Sequence, residues 1–245
     1  YLYGPEGKPY IDLISGVSVS NVGHNHPKVV EAIKKQVDSY THLMVYGDLI
    51  LTPQVQYARH LADILPRGLD TCYFVNSGSE AVEGALKLSK RFTGRSRIIS
   101  FRNSYHGSTH GALSIQGSEI YRNAFRPLLP DTYQVSFNDF KSLDIIDSKT
   151  ACVVVEPVQG EAGIIFPEND FLLKVRERCD ATGALLIFDE IQTAFGRLGH
   201  MFAIDRFGVI PDILLLAKAL GGGMPLGAFI SSSEIMSSLI TNPSL

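Results

Sequence analysis

ALLIFDEIQ (residues 184–192) and DILLLAKALGGG (212–223) each hold five consecutive apolar residues, after which a charged side chain follows at once: Asp189 in the first, Lys218 in the second. Apolar runs this short, rich in branched side chains and closed by polar residues, fit strands buried on both faces of a sheet. CYFV (72–75), RIISF (97–101) and ACVVVE (151–156) read the same way, and AFISSS (228–233) looks like one more strand. Between several of them lie helical patterns. SEAVEGALKLSKRF places Val82, Ala85, Leu86 and Ser89 on one stripe, and DFLLKVRERCDATG places Leu172, Val175 and Cys179 on another. Strands alternating with helices imply an α/β fold, a mostly parallel sheet covered on both sides as a three-layer α/β/α sandwich.

Ahead of the sheet, PKVVEAIKKQVDSY and PQVQYARHLADIL open on proline and carry apolar residues at helical spacing, Val30, Ile33 and Val37 among them. They predict two lead-in helices. With no internal repeat and no low-complexity linker, the chain reads as one domain plus an N-terminal arm.

Composition narrows the function classes. The 22 Lys+Arg against 25 Asp+Glu leave a net charge of −3, and no basic run offers local attraction to nucleic acid or an anionic membrane. Cys72, Cys152 and Cys179 are far apart, outside CxxC or Cys/His ligand spacings, which predicts buried thiols in a reducing compartment. No apolar stretch reaches the ~20 residues that span a bilayer, and YLYGPEGKPY lacks the apolar core of a signal peptide. The expectation is a cytoplasmic protein. His24, His26, His106 and His110 fall in two separated loops without a ligand set, so no metal is assigned.

In an open α/β sheet, ligands collect beyond the carboxyl ends of the strands. Here those ends lead into NSGSEA (76–81), RNSYHG (102–107), EPVQGE (156–161), DEIQ (189–192) and AKALGGG (217–223). The first is a small-residue turn opening a helix, whose free NH groups suit a phosphate. Gly78 permits close approach and Ser79 adds a hydroxyl; a capping box with Ser79 as cap explains the same residues. Asp189 and Lys218, each ending an apolar strand, read either as a buried ion pair or as the two poles of a cationic, aldehyde-bearing cofactor.

FDEIQTAFGRLGHMFAIDRFGVIPDILLLAKALGGGMPLGA (188–228) resembles the signature of class III aminotransferases, the fold type I group that includes ornithine, acetylornithine and 4-aminobutyrate aminotransferases. PYIDLISGVSVSNVGHNHPKVVEAI (9–33), FVNSGSEAVEGALKL (74–88), SYHG (104–107) and VVVEPVQGEAG (153–163) extend the resemblance over nearly the whole chain. It implies a pyridoxal 5'-phosphate enzyme and divides the chain into an N-terminal arm with part of the small domain (1–45) and a cofactor-binding large domain (46–245). The C-terminal small domain, with its carboxylate-gripping arginine and a threonine reaching the neighbouring subunit's phosphate, is expected to lie outside the sequence, leaving this stretch inactive alone. A homodimer is implied too, with Met44, Tyr46 and Asp48 as interface candidates.

The resemblance also implies roles. Lys218 holds the cofactor as a Schiff base and moves the proton; Asp189 keeps the pyridine nitrogen protonated. Gln192 bonds the ring's phenolic oxygen, Gly78 and Ser79 hold the phosphate, and Tyr105 stacks on the ring. His106 either supports the ring or merely packs. Glu156 and Glu161 lie near the substrate, the second as a gate, and Arg197 is read as a structural ion-pair residue. Ser108 stands where the ornithine, acetylornithine and 4-aminobutyrate enzymes carry an arginine, and Val17 where the ornithine enzyme has a tyrosine. Both argue against a strict ornithine enzyme. The implied activity is a ping-pong transamination from a primary amine or amino acid to a 2-oxo acid. Another reaction on the scaffold (aminomutase, racemase or lyase) is the alternative. A noncatalytic or nucleotide-binding module is remote, because no GxGxxG or GxxxxGK[ST] turn is present.

Overall fold

The computed structural model describes residues 1–44 and 49–240. A two-residue hairpin, β1 (Leu2–Tyr3) with β2 (Pro9–Tyr10), opens the arm. Helices α1 (Pro27–Ser39) and α2 (Thr52–Ile64) follow, both with proline in the first turn, where its missing NH costs nothing. The predicted lead-in helices are both present. The α1 stripe is largely uncovered, with Ile33 36% and Val37 58% exposed.

The body is a seven-stranded sheet of order β3-β9-β8-β7-β6-β4-β5. Its strands are β3 (Thr71–Val75), β4 (Arg97–Phe101), β5 (Thr132–Val135), β6 (Thr150–Val155), β7 (Leu185–Asp189), β8 (Ile213–Leu216) and β9 (Gly227–Ser231). The β4–β5, β4–β6, β6–β7 and β7–β8 pairs are parallel. β9 runs antiparallel between β8 and β3. β5 escaped the sequence reading. It is an edge strand, TYQV, with Tyr133 41% exposed, so it lacks the doubly buried apolar run that marks its neighbours.

Alternate residues of each central strand feed two cores. On one face Val153, Val155, Leu186, Phe188, Leu214 and Leu216 pack with Phe171, Leu172, Val175 and Cys179 of α4 (Phe171–Thr182) and with Leu61 of α2. On the other, Cys152, Val154, Ile187, Ile213 and Leu215 meet Ala81, Val82 and Ala85 of α3 (Gly78–Thr93). The three-layer sandwich follows from this period-2 alternation between two helical stripes. Cys152 and Cys179 are buried and all three cysteines are free thiols.

Candidate active site

Five strand ends converge on one cavity of about 370 Å³, with walls that include Ser77, Gly78 and Ser79, Tyr105 and His106, Glu156, Asp189 and Gln192, and Lys218. This is the rim that parallel strands and their outgoing loops create. The arm contributes Val19 to the same wall.

At the first strand end the cap of α3 is Ser77, whose Oγ accepts from Glu80 N at 3.2 Å while Glu80 Oε2 accepts from Asn76 N at 2.6 Å. Only half of a capping box forms: the cap is Ser77 and not Ser79, and Glu80 reaches past it to the NH of Asn76. That frees Ser79: its Oγ accepts from Ser108 N at 3.2 Å. The NH groups of Gly78 and Ser79 meet no protein acceptor among the described residues. Two free donors at the positive end of a 16-residue helix have the geometry and polarity that suit an anion.

The loop after β4 closes over this turn. Gly107 has φ +121°, and an added Cβ would sit within clash distance of the Ser79 side chain and backbone. Gly107→Ala is therefore expected to lower stability by about 2 kcal/mol or more through combined strain and overlap. Urea denaturation midpoints check it, and a neutral result would show that the Ser79 loop yields freely. In the same loop Tyr105 N donates to Glu156 Oε2 at 3.1 Å, and the Tyr105 hydroxyl lies 3.3 Å from Ser108 Oγ. Ser108 thus bonds Ser79 and Tyr105 and braces the loop.

Asp189 is 3% exposed, at the cavity floor. His106 Nδ1 lies 2.7 Å from its Oδ2, and Ile191 N donates to its Oδ1 at 3.1 Å. His106, read as either supporting the ring or merely packing, is buried and hydrogen-bonded to Asp189. Burial works against the charged imidazole, but the Asp189 hydrogen bond and the Asp189 and Glu156 charges outweigh it and raise its pKa. The adjacent buried Glu156 is pushed up to about 7, mainly by desolvation. It accepts from Gly160 N at 3.2 Å and Tyr105 N, tying two loops together.

Lys218 is half-buried, in the left-handed region at φ +49°, and it forms no ion pair with Asp189 or another described residue. A non-glycine residue held there is strain of the kind that accumulates at functional sites. Burial lowers its pKa, against the attraction of Asp189, Glu161 and Glu156. The buried Asp–Lys pair that the sequence also allowed does not form. The two side chains line one cavity.

Gln192 Nε2 donates to Glu161 Oε1 at 2.9 Å, so the gate candidate touches the ring-side glutamine. Two readings need correction. Arg197 makes no ion pair among the described residues; it donates to Asn21 Oδ1 at 2.6 Å. Val17 is 49% exposed and outside the cavity wall, where Val19 stands instead. Val19 had no sequence signal, because only the backbone path of the arm brings it there. Of the interface candidates, Tyr46 and Asp48 lie outside the described residues, as does the 45/46 domain boundary; Met44 is 52% exposed.

One buried acid stands apart from the cavity. Glu190 accepts from Ala203 N at 2.6 Å and Ile204 N at 3.1 Å, clamping the start of α5 (Ala203–Phe207) to the end of β7. Burial pushes it up to about 7 from 4.5, against those hydrogen bonds. The folded state thus keeps a proton that the unfolded chain has lost, so this residue erodes stability as pH rises from about 4.5 to 7 and no further above it. Glu190→Gln is expected to flatten that slope, on the order of 2 to 3 kcal/mol. Urea midpoints of both proteins at pH 5 and pH 8 measure it, and parallel pH profiles would refute it.

The aminotransferase class-III family profile matches residues 1–243. The chain is 45% identical to the acetylornithine aminotransferase of Methanopyrus kandleri over 237 residues, 96% of this chain and 60% of that protein. It is 38% identical over 239 residues, 98% of this chain and 61% of that protein, to the [LysW]-aminoadipate semialdehyde/glutamate semialdehyde transaminase of Sulfolobus acidocaldarius. Among solved structures, the ornithine aminotransferase of Toxoplasma gondii superposes with a TM-score of 0.90 at 30% identity, covering 99% of this chain and 59% of that one. An (S)-enantioselective omega-transaminase from Thermomicrobium roseum gives 0.91 at 29% identity, covering 99% and 61%. The chain spans about 60% of the length of the curated relatives it matches. With five strand ends arranged around Glu156, Asp189 and Lys218, and a family match that runs through all of them, the chain belongs to the class-III aminotransferases.

Proposed function

We propose that the protein carrying this chain is a pyridoxal-phosphate-dependent transaminase, moving an amino group from a primary amine or amino acid to a 2-oxo acid by a ping-pong cycle. The observation that carries the reading is an unpaired, half-buried Lys218 amine sharing one cavity with a buried carboxylate, Asp189, and two free backbone NH groups at the α3 N-terminus. Names of relatives agree, and one similar solved structure, an ornithine aminotransferase, is described with partial occupancy of PLP at its active site.

The cavity fits that cofactor at three points. The NH groups of Gly78 and Ser79 would take its phosphate. Asp189, oriented by His106, would accept the ring NH, and Gln192 and Tyr105 flank the space between. When bound, the cofactor supplies an aldehyde that links covalently to amines and a protonated ring that withdraws electrons from the bond being broken. Lys218 would hold the cofactor through its side-chain nitrogen, which burial favours as the neutral amine, and once displaced by the substrate's amine that nitrogen would be free to take and return the substrate's proton. Glu156 and Glu161 sit on the substrate side, Glu161 through Gln192. Ser108, engaged with Ser79 and Tyr105, offers no cation for a substrate carboxylate. The donor therefore either lacks a carboxylate at that end or has it held elsewhere in the protein.

We also read the protein as a cytoplasmic homodimer. Free buried thiols support the compartment. Exposed apolar residues of the arm and of 120–125, such as Ile14, Ile120 and Phe125, support the dimer. No described helix is long and apolar enough to cross a membrane. Residues 46–245 form the cofactor-binding domain in this reading.

Full-length protein loaded with pyridoxal phosphate is expected to absorb in the visible and to be bleached by an accepted amine, with 2-oxo acid restoring the colour. Colour without any amine response would sink the transaminase reading. Product formed without a 2-oxo acid would replace it by aminomutase, racemase or lyase chemistry.

A further inference from the structure

The arm contains a strained turn. Ser15, Gly16, Val17 and Ser18 have φ of 56°, 62°, 57° and 66°, four successive residues in the left-handed region, and Val17 is β-branched. Only Gly16 adopts this without a Cβ clash. Such backbone persists where its surroundings over-determine it.

Two anchors flank the turn. Before it, Asp12 Oδ1 accepts from Ile14 N at 3.0 Å and Ser15 N at 2.8 Å, and Asp12 Oδ2 pairs with His24 Nε2 at 2.7 Å. All of these bonds stay within the arm. After it, Asn21 Nδ2 donates to Phe195 O at 2.8 Å and, more weakly, to Ala194 O at 3.5 Å, while Asn21 Oδ1 accepts from Arg197 at 2.6 Å. Among the described residues of the arm, Asn21 is the one whose hydrogen bonds reach the α/β body.

Val19 sits between turn and latch. It lines the catalytic cavity and also a neighbouring one of about 490 Å³ walled by Asn21, Phe195, His200 and Met201. Among the described residues, no other is common to the two walls. The second chamber is mostly apolar, and Ala219 in its wall directly follows Lys218 in the chain.

We propose that Asn21 is a positioning residue that latches the strained arm to the 194–197 turn, so that Val19 forms the partition between the two chambers and sets the size of the amine accepted. The size effect rests on the transaminase reading; the latch does not. A side-chain amide is suited to the task, because it donates to a carbonyl and accepts from a guanidinium at once. Releasing it lets the left-handed turn relax, and the partition goes with it.

The test uses full-length protein with Asn21→Ala and Asn21→Asp, the second keeping the acceptor for Arg197 but losing the donor to Phe195. Hydrogen exchange of residues 14–24 is expected to quicken about tenfold or more in Asn21→Ala, the loss of two net hydrogen bonds. Asn21→Asp falls between it and wild type, and β7 and β8 stay unchanged. The ratio of kcat/KM for a bulky aromatic amine over a small aliphatic one is expected to rise about tenfold, with the visible spectrum intact. Unchanged exchange in 14–24 overturns the latch. Faster exchange with an unaltered ratio overturns the partition. If no amine responds in any variant, the transaminase reading has failed, and the exchange data still decide the latch. Should both Asn21 variants misfold, the exposed Arg197→Leu replaces them, with severalfold faster exchange expected in 14–24 and no change overturning the proposal.

Discussion

Lys218→Ala in the full-length protein is expected to abolish covalent capture of pyridoxal phosphate and to lower turnover by about 10⁴-fold or more, the upper range for one positioned proton-transfer group. Among the described residues lining the cavity, no other side chain carries an amine. Folding should survive, because the lysine forms no ion pair and alanine at φ +49° is no more strained than lysine. Borohydride reduction followed by peptide mass mapping is the direct measurement. It should label Lys218 in the wild type and nothing in the variant. A label on another lysine, or colour that survives dialysis in the variant with normal turnover, would remove the foundation of the functional reading.

Asp189→Asn is the second large effect, and it separates chemistry from binding. The side chain keeps its volume and loses its charge. Turnover is expected to fall about 10²- to 10³-fold, as when one preorganised electrostatic group is lost from a dry site. Cofactor affinity should change much less, because the Lys218 amine and the Gly78 and Ser79 NH groups are untouched. The variant also acts on His106. In the wild type, Asp189 raises the imidazole pKa against burial. Its protonation thus contributes stability that is complete below 6.5 and is lost as pH rises through the raised value. In Asp189→Asn burial is opposed only by the Glu156 charge, so the imidazole should titrate at lower pH. NMR titration of the His106 ring reads this directly, and the stability gap between the two proteins should shrink as pH climbs above 6.5. An unmoved His106 titration would mean that the pair is not electrostatically coupled.

Much of this was legible in the chain because buried strands and their terminations are local patterns. ALLIFD and DILLLA are apolar over their whole length because both faces of β7 and β8 are covered, and the charge that closes each one marks the rim. The Gly78–Ser79 turn was legible for a similar reason, since small residues ahead of a helical stripe mark its start. β5 was not, because a sheet edge with one open face needs no apolar run. Ser77 could have been told from Ser79 as the cap, because Ser77 has Glu80 three residues on where Ser79 has Val82, and an acid at that position marks a helix start.

By itself the sequence determined the α/β layering, the strand ends that carry chemistry, and the identity of Asp189 and Lys218, since each depends on residues within a few positions of one another. The tertiary structure alone decided that His106 rather than Lys218 pairs with Asp189, that Arg197 serves Asn21, and that Val19 instead of Val17 reaches the cavity. Those contacts join residues 83, 176 and more than 50 positions apart, or turn on the sign of a few φ angles in the arm. Spacing along the chain carries no information about such approaches; the packing of loops on the sheet rim sets them.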